Sequence, residues 1–168
     1  MYEAGQQVLY GIHGICTIIS IERMRFGSSR ENYYILEPIQ QPGSRFYVPV
    51  NNESAVAKLR PLLFREELLA LLHSDQVRNY PWIADESQRK LRFRELINSG
   101  DRAQLMGMIV ALHRHKQEQL AAGRKFHQSD ENFLNDAQKL LNAEFALVFH
   151  LEPWEVNDFI LRELENTH

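Results

Sequence analysis

The stretch Tyr80–Asp101, YPWIADESQRKLRFRELINSGD, sets a tryptophan and two acids just ahead of four cations, Arg89, Lys90, Arg92 and Arg94, within six residues. Spaced cations of this kind can follow a phosphate backbone, which asks for positive charge at intervals more than for any specific base contact. On a helix Lys90 and Arg94 share a row at i, i+4, and Arg89 lies beside Arg92 at i, i+3. Two basic rows then flank a buried side that Leu91, Leu96 and Ile97 are expected to supply. Arg102, Lys116, Arg124 and Lys125 extend the cationic set. Trp82 stands three residues before the expected helix cap and admits two readings. Either its ring closes the core beside Ile83, or it lies partly exposed, ready to stack on or wedge between bases.

Charge is distributed unevenly along the chain. Residues 85–125 hold nine Lys/Arg and five acids, a net +4, whereas residues 130–168 hold two and nine, a net −7. That polarity suits one face to an anionic partner and another to repelling it. Signals for catalysis are weak: there is no Gly-rich phosphate loop, no H-E-x-x-H and no G-x-S-x-G. His113 and His115 are two apart, which on a helix turns them about 200° from one another and prevents them from chelating one metal. The single cysteine, Cys16, sits in the apolar run GICTIISI and is expected to be a small buried strand residue. It excludes an intrachain disulfide and a multi-Cys zinc site. The reading is a protein that is not an enzyme and uses no cofactor or metal.

The elements that must carry these residues fall into two halves. From Gly5 to about Arg60, QQVLY, GICTIISIERM, ENYYILEPI and SRFYVPV are rich in Val, Ile, Thr, Tyr and Phe and are separated by Gly, Pro and Asn breakers. Four or five short strands in this span predict a small twisted barrel. In TIISIERM, alternation puts Ile19, Ile21 and Arg23 on one side, the expected core face. Pro38 and Pro49 belong at strand ends or on an edge.

After Pro61 the period becomes helical. FREELLALL is a first helix. Asp85 caps a second, with Gln88 three residues on. Gly100 ends it in a left-handed turn, and Asp101 caps a third, with Gln104 placed likewise. Leu105, Met108, Ile109 and Leu112 form one apolar stripe, and the helix should end near Ala122-Gly123. Ser129 is expected to cap a fourth, facing inward through Leu134, Ala137, Leu141, Phe145 and Val148. Pro153 suits the first turn of a fifth, with Trp154, Phe159 and Ile160 packing. The fold class is therefore α+β in two domains, 1–60 a small barrel and 61–168 a compact all-α domain of about five helices. No signal peptide and no apolar run of about 18 residues is visible, which places the expectation in the cytoplasm, away from membranes.

GQQVLYGIHGICTIISIE resembles the opening of the CarD-like (CdnL) bacterial transcription regulators, Gly-x-x-Val-Val-Tyr-Pro-x-His-Gly followed by an isoleucine-rich strand. YYILEP and FYVPVNN are similar to that family's next two strands, and INSGDRAQLMGMIVALHRHKQEQ with DAQKLLNAEFAL to its helical domain. The resemblance implies a Tudor-like, SH3-like barrel, shared with the transcription-repair coupling factor, that binds the β subunit of RNA polymerase. It also implies a helical domain that touches promoter DNA at the upstream edge of the bubble, where a tryptophan wedges into the minor groove and favours the open complex. On this chain it assigns Arg23, Arg45, Tyr47 and Pro49 to the polymerase face. Trp82, Arg89, Lys90, Arg92, Arg94, Arg102, Lys116, Arg124 and Lys125 are assigned to DNA.

Three positions depart from the pattern. Gly11 stands where the motif has proline. Tyr47 stands where some members carry a basic residue, and Arg45, two residues earlier on the same strand face, can supply the cation. Trp82 comes four residues before the wedge position, which falls near Glu86. The function expected is a transcription factor that stabilises the open complex by population shift. A protein-interaction adaptor with Trp82 in its core is the alternative.

Overall fold

The β-branched and aromatic runs of the first sixty residues form five strands, β1 (Gln7–Tyr10), β2 (Ile15–Phe26), β3 (Ser29–Pro38), β4 (Phe46–Pro49) and β5 (Leu59–Pro61). The computed structural model describes residues 1–165. It divides the chain into two units, Met1–Leu62 and Leu63–His168. All pairings in the first unit are antiparallel, in the order β4-β3-β2-β1-β5. The expected barrel is thus not closed. β4 and β5 are four and three residues long and each ends in a proline, so neither offers the ladder of donors that closure needs.

Val8, Cys16, Ile18, Tyr34, Leu36, Val48 and Leu59 are buried together beneath this sheet. Tyr2 packs edge-on against Tyr34, and its hydroxyl donates to the Leu59 carbonyl at 3.1 Å. Burial pushes the Cys16 thiol up to about 11, which makes it the inert strand residue its sequence context suggests. A short helix, α1 (Glu53–Val56), is capped by the Asn52 side chain, which accepts from the Ala55 N–H. Gly11 sits at φ 46°, where proline, locked near −65°, cannot go. The chain's departure from the Tyr-Pro-x-His-Gly pattern is therefore a change of turn conformation.

The core face expected for β2 is corrected ahead of a register shift between Ile18 and Ser20, where Cys16 and Ile18 are buried. Ile18, opposite Leu36, takes the core and Ile19 is exposed; past the shift Ile21 pairs with the buried Tyr34 but is itself 41% exposed. A bulge moves every later side chain of the strand to the opposite parity, which here turns Phe26 to the side of Tyr33 and which simple alternation cannot anticipate.

The helical unit contains α2 (Arg65–Leu72), α3 (Asp75–Arg78), α4 (Glu86–Ser99), α5 (Arg102–Ala121), α6 (Gln128–Phe149) and α7 (Val156–Glu165). A 3-10 turn, Pro153–Glu155, leads into α7 with proline in its first turn. The single-turn helix α3, capped by Ser74, is an addition to the five expected. Asp85 accepts from the Gln88 N–H at 2.8 Å, Asp101 from the Gln104 N–H at 3.0 Å, and Gly100 closes α4 at φ 65°. Every residue of α5 from Leu105 to Leu112 is buried, so the stripe read from the sequence belongs to two turns enclosed on all sides.

Three details differ from expectation. The N-cap of α6 is His127 and not Ser129; the earlier start sets Asp130 in the first turn, where a carboxylate complements the helix dipole. Leu91 is 59% exposed, because Arg89, Phe93 and Leu96, spaced i, i+4, i+7, turn the inner face of α4 away from it. Trp154 is 76% exposed, since Val156 and Ile160 take the buried positions of the last helix.

Gly107 lets α5 approach the Tyr80 ring closely. A Cβ at this position would lie 2.1 Å from Tyr80 Cδ2, and the Tyr80 hydroxyl is held by Gln104 Oε1 at 2.7 Å. Overpacking of this kind costs about 1–3 kcal/mol. Gly107→Ala should lower the urea midpoint of the full chain accordingly, and the added Tyr80→Ala should remove the clash component in a double-mutant cycle.

Candidate polymerase and nucleic-acid interfaces

In the first unit, the register fixes which side chains share the face turned from the core. Tyr47 lies opposite Ile35, Pro49 opposite Tyr33, and Glu22 also opposite Tyr33. Paired residues of an antiparallel ladder project to the same side. Arg45 joins them by its ion pair with Glu37 at 3.3 Å. Arg23, opposite Asn32, has the other parity and points to the other face. Of the four residues expected at a polymerase surface, three come together and Arg23 does not.

Two aromatic residues not singled out from the sequence complete this face. Phe26, 47% exposed, packs edge-on against Tyr33 at 4.9 Å and lies 5.6 Å from the 43%-exposed Tyr47 ring. Strand parity from Tyr47 would have found Tyr33 once the pairing was known. Phe26 becomes a neighbour only because the β2–β3 hairpin brings it back beside Tyr33.

In the helical unit the cations divide into three groups. Arg89 and Arg102 are ion-paired inside the unit. Arg89 is 4% exposed, and donates from Nε and Nη2 to the two Asp130 oxygens at 3.0 and 3.1 Å. Its Nη1 reaches the carbonyls of Ile83 and Ala84 at 3.0 and 3.3 Å. Arg102 meets Glu144 in the same two-pronged way, at 2.6 and 2.8 Å, and Glu144 also accepts from the Leu63 N–H at 3.4 Å. These two arginines therefore drop out of the phosphate-tracking set: a guanidinium bidentate to a buried carboxylate would leave that carboxylate unpaired if it moved to DNA.

Lys90, Arg92 and Lys116 form ion pairs at or near the surface, with Glu86 at 3.0 Å, Glu95 at 3.3 Å and Glu131 at 3.0 Å. Arg94, Arg124 and Lys125 are exposed. Glu86 and His127 line one groove with Trp82 and His115, so the start of α4 lies beside the α5–α6 link that carries Arg124 and Lys125. From there Lys90 and Arg94 continue along the helix in one row.

Trp82 is half-buried and packs on the helical core. Its ring stacks on His115 with centroids 4.0 Å apart and planes 15° from parallel, and Arg89 Cζ lies 4.6 Å from the ring centre. Phe93 approaches edge-on at 6.4 Å. The ring thus covers the buried guanidinium and shields its ion pair from water. His113 and His115 have separate partners: His113 Nε2 lies 3.4 Å from the Gln138 amide and His115 Nε2 3.1 Å from that of Gln119. Among the described residues, no group of three or more His, Cys, Asp or Glu is arranged to hold a metal ion. No helix of those residues is long and apolar enough to cross a membrane.

Residues 2–62 match the family model described as the CarD-like/TRCF RID domain. The match coincides with the five-stranded unit, is consistent with a CarD-like RNA polymerase-interacting domain and supports a transcription-related role. The helical unit lies outside the match. A search of curated proteins found no match.

Removing Arg89 alone leaves Asp130 buried without its counter-charge, an effect of about 3–5 kcal/mol. Arg89→Met should destabilise by that amount in urea titration, while Arg94→Ala should stay within about 0.5 kcal/mol. Asp130→Leu added to Arg89→Met should recover much of the loss.

Both histidines of α5 are held below the usual 6.5. For His115 burial is the largest cause, with Arg89 and His127 acting the same way and Asp130 and Glu118 opposing; for His113 burial leads and Lys116 assists, against Glu131. The unfolded chain therefore binds protons first as pH falls. Stability should be full above about pH 6.5, decline as pH drops through that value, and level off once the folded histidines also titrate. His115→Phe should flatten part of this slope in melting curves recorded between pH 7 and 5.

Proposed function

We propose that this chain, whose first unit matches a CarD-like RNA polymerase-interacting domain, is a non-enzymatic bacterial transcription factor of the cytoplasm. It binds the β subunit of polymerase through the outer sheet face and stabilises the promoter open complex through DNA contacts of its helical unit. The match over residues 2–62 is the observation that carries this reading. The outer face of that unit supports it further. Phe26, Tyr33 and Tyr47 are already packed on one another, so little side-chain freedom remains to be lost on docking. Arg45 adds a cation at the rim, where its exposed pairing with Glu37 can be exchanged at small cost.

In the helical unit, the DNA contact is assigned to Lys90 and Arg94 along α4 and to Arg124 and Lys125 beside its start. Lys90 exchanges its surface pair with Glu86 for phosphate, and Arg92 and Lys116 add to the set by exchanging theirs. Trp82 serves this surface by holding the α4 entrance in place, with no insertion between bases, because its ring already contacts His115 and Arg89. The factor acts by population shift. Cations that meet phosphate only in opened or distorted promoter DNA favour that state, and 1.4 kcal/mol moves the equilibrium tenfold.

The test separates the two surfaces. Lys90→Glu with Arg94→Glu should shorten open-complex lifetime about tenfold at low salt and leave polymerase affinity unchanged. Phe26→Ala with Tyr47→Ala should weaken binding to polymerase about tenfold and leave the melting temperature of the helical unit unaltered. An unchanged lifetime in the first variant would assign the helical unit to a protein partner in place of DNA.

A further inference from the structure

The end of the helical unit carries a second surface of opposite charge. After α6, His150 takes a left-handed conformation at φ 55°, and the 3-10 turn Pro153–Glu155 projects Trp154 outward. The turn is fixed at its start: Glu155 Oε2 accepts from the Glu152 N–H at 2.8 Å. Trp154 is therefore carried on a defined turn, 76% exposed. It lines a groove with Leu151 and Leu161, bordered by the carboxylates of Glu155, Asp158 and Glu165. Arg162, the one cation there, turns its Nε to the Asp158 carbonyl at 3.3 Å. Residues 130–168, to which this groove belongs, hold nine acids and two Lys/Arg.

We infer that this groove is a docking site for a protein segment bearing Lys or Arg next to aliphatic side chains. Each part of the surface selects that chemistry. The aliphatic contact falls on Leu151, Leu161 and the indole, and exposed tryptophan on a fixed turn is the residue type most often found at the centre of protein contacts. Lysine or arginine gains twice, from the face of Trp154 and from the surrounding carboxylates. Those carboxylates disfavour phosphate, so nucleic acid and anionic lipid headgroups are poor occupants. The site is independent of the sheet face and of the α4 cations, and its partner need not be the polymerase surface held by the first unit.

The test uses the full chain and a fluorescein-labelled synthetic peptide of alternating lysine and leucine pairs, with a glutamate-for-lysine peptide as its counterpart. Anisotropy titrations should show saturable binding of the lysine peptide and none of the glutamate peptide. Trp154→Ala should weaken binding at least tenfold, Trp154→Phe should retain most of it, and Asp158→Lys should weaken it severalfold. Both positions are exposed, and matching melting curves would exclude unfolding as the cause. No binding of the lysine peptide, or equal binding by wild type and Trp154→Ala, overturns the proposal. So does sedimentation showing Trp154-dependent self-association, which would make a second copy of this chain the occupant.

Discussion

The helical unit depends on the buried ion pair between Arg89 and Asp130. Taking both charges out of water costs several kcal/mol per ion, and only good geometry offsets it. The geometry is present: two parallel N–H···O bonds to the carboxylate, and a third nitrogen directed at the carbonyls of Ile83 and Ala84. One side chain of α4 therefore fixes the first turn of α6 and the incoming loop together. Trp82 covers the guanidinium, and His115 of α5 stacks on that ring, so three helices and a loop converge on a single charge. Arg102 and Glu144 repeat the arrangement near the other end of α6, where Glu144 also receives the Leu63 N–H.

These two pairs determine what the surface can offer. The basic composition of residues 85–125 suggests a broad cationic face, but two of its arginines are internal and three further cations have acidic partners at or near the surface. What remains is narrower and more defined, Arg94 on α4 and two cations in the α5–α6 link, with Lys90 in the row of Arg94 through its surface pair with Glu86. The acidic excess near the C-terminus is divided in the same way. Asp130 and Glu144 are internal counter-charges, whereas Glu155, Asp158 and Glu165 surround an exposed tryptophan.

In the first unit the comparable constraint is the register shift in β2. By inserting one residue after Ile18, it aligns the core on one side and leaves Phe26, Tyr33, Tyr47 and Arg45 on the other. The sheet stays open because its outer strands are short and end in proline, which also limits pairing with foreign strands.

Local chemistry was legible in the residues themselves. Asp85, Gly100 and Asp101 announce helix ends because a cap needs only neighbours three or four positions away, and the change from strand to helix near Pro61 is a change of period within short windows. Cys16 was readable for the same reason, as part of an apolar strand. The opening motif was specific enough to indicate a polymerase-interacting domain. The tertiary structure alone decided which arginines are internal, since Arg89 and Arg102 differ from Arg94 only through Asp130 and Glu144, each about forty residues away. It also decided that Ile19 and Ile21 are exposed, that Trp82 is a cover for a charge and that Trp154 faces outward. Each of those outcomes is a competition for a buried position, and the competitors meet only when distant segments pack.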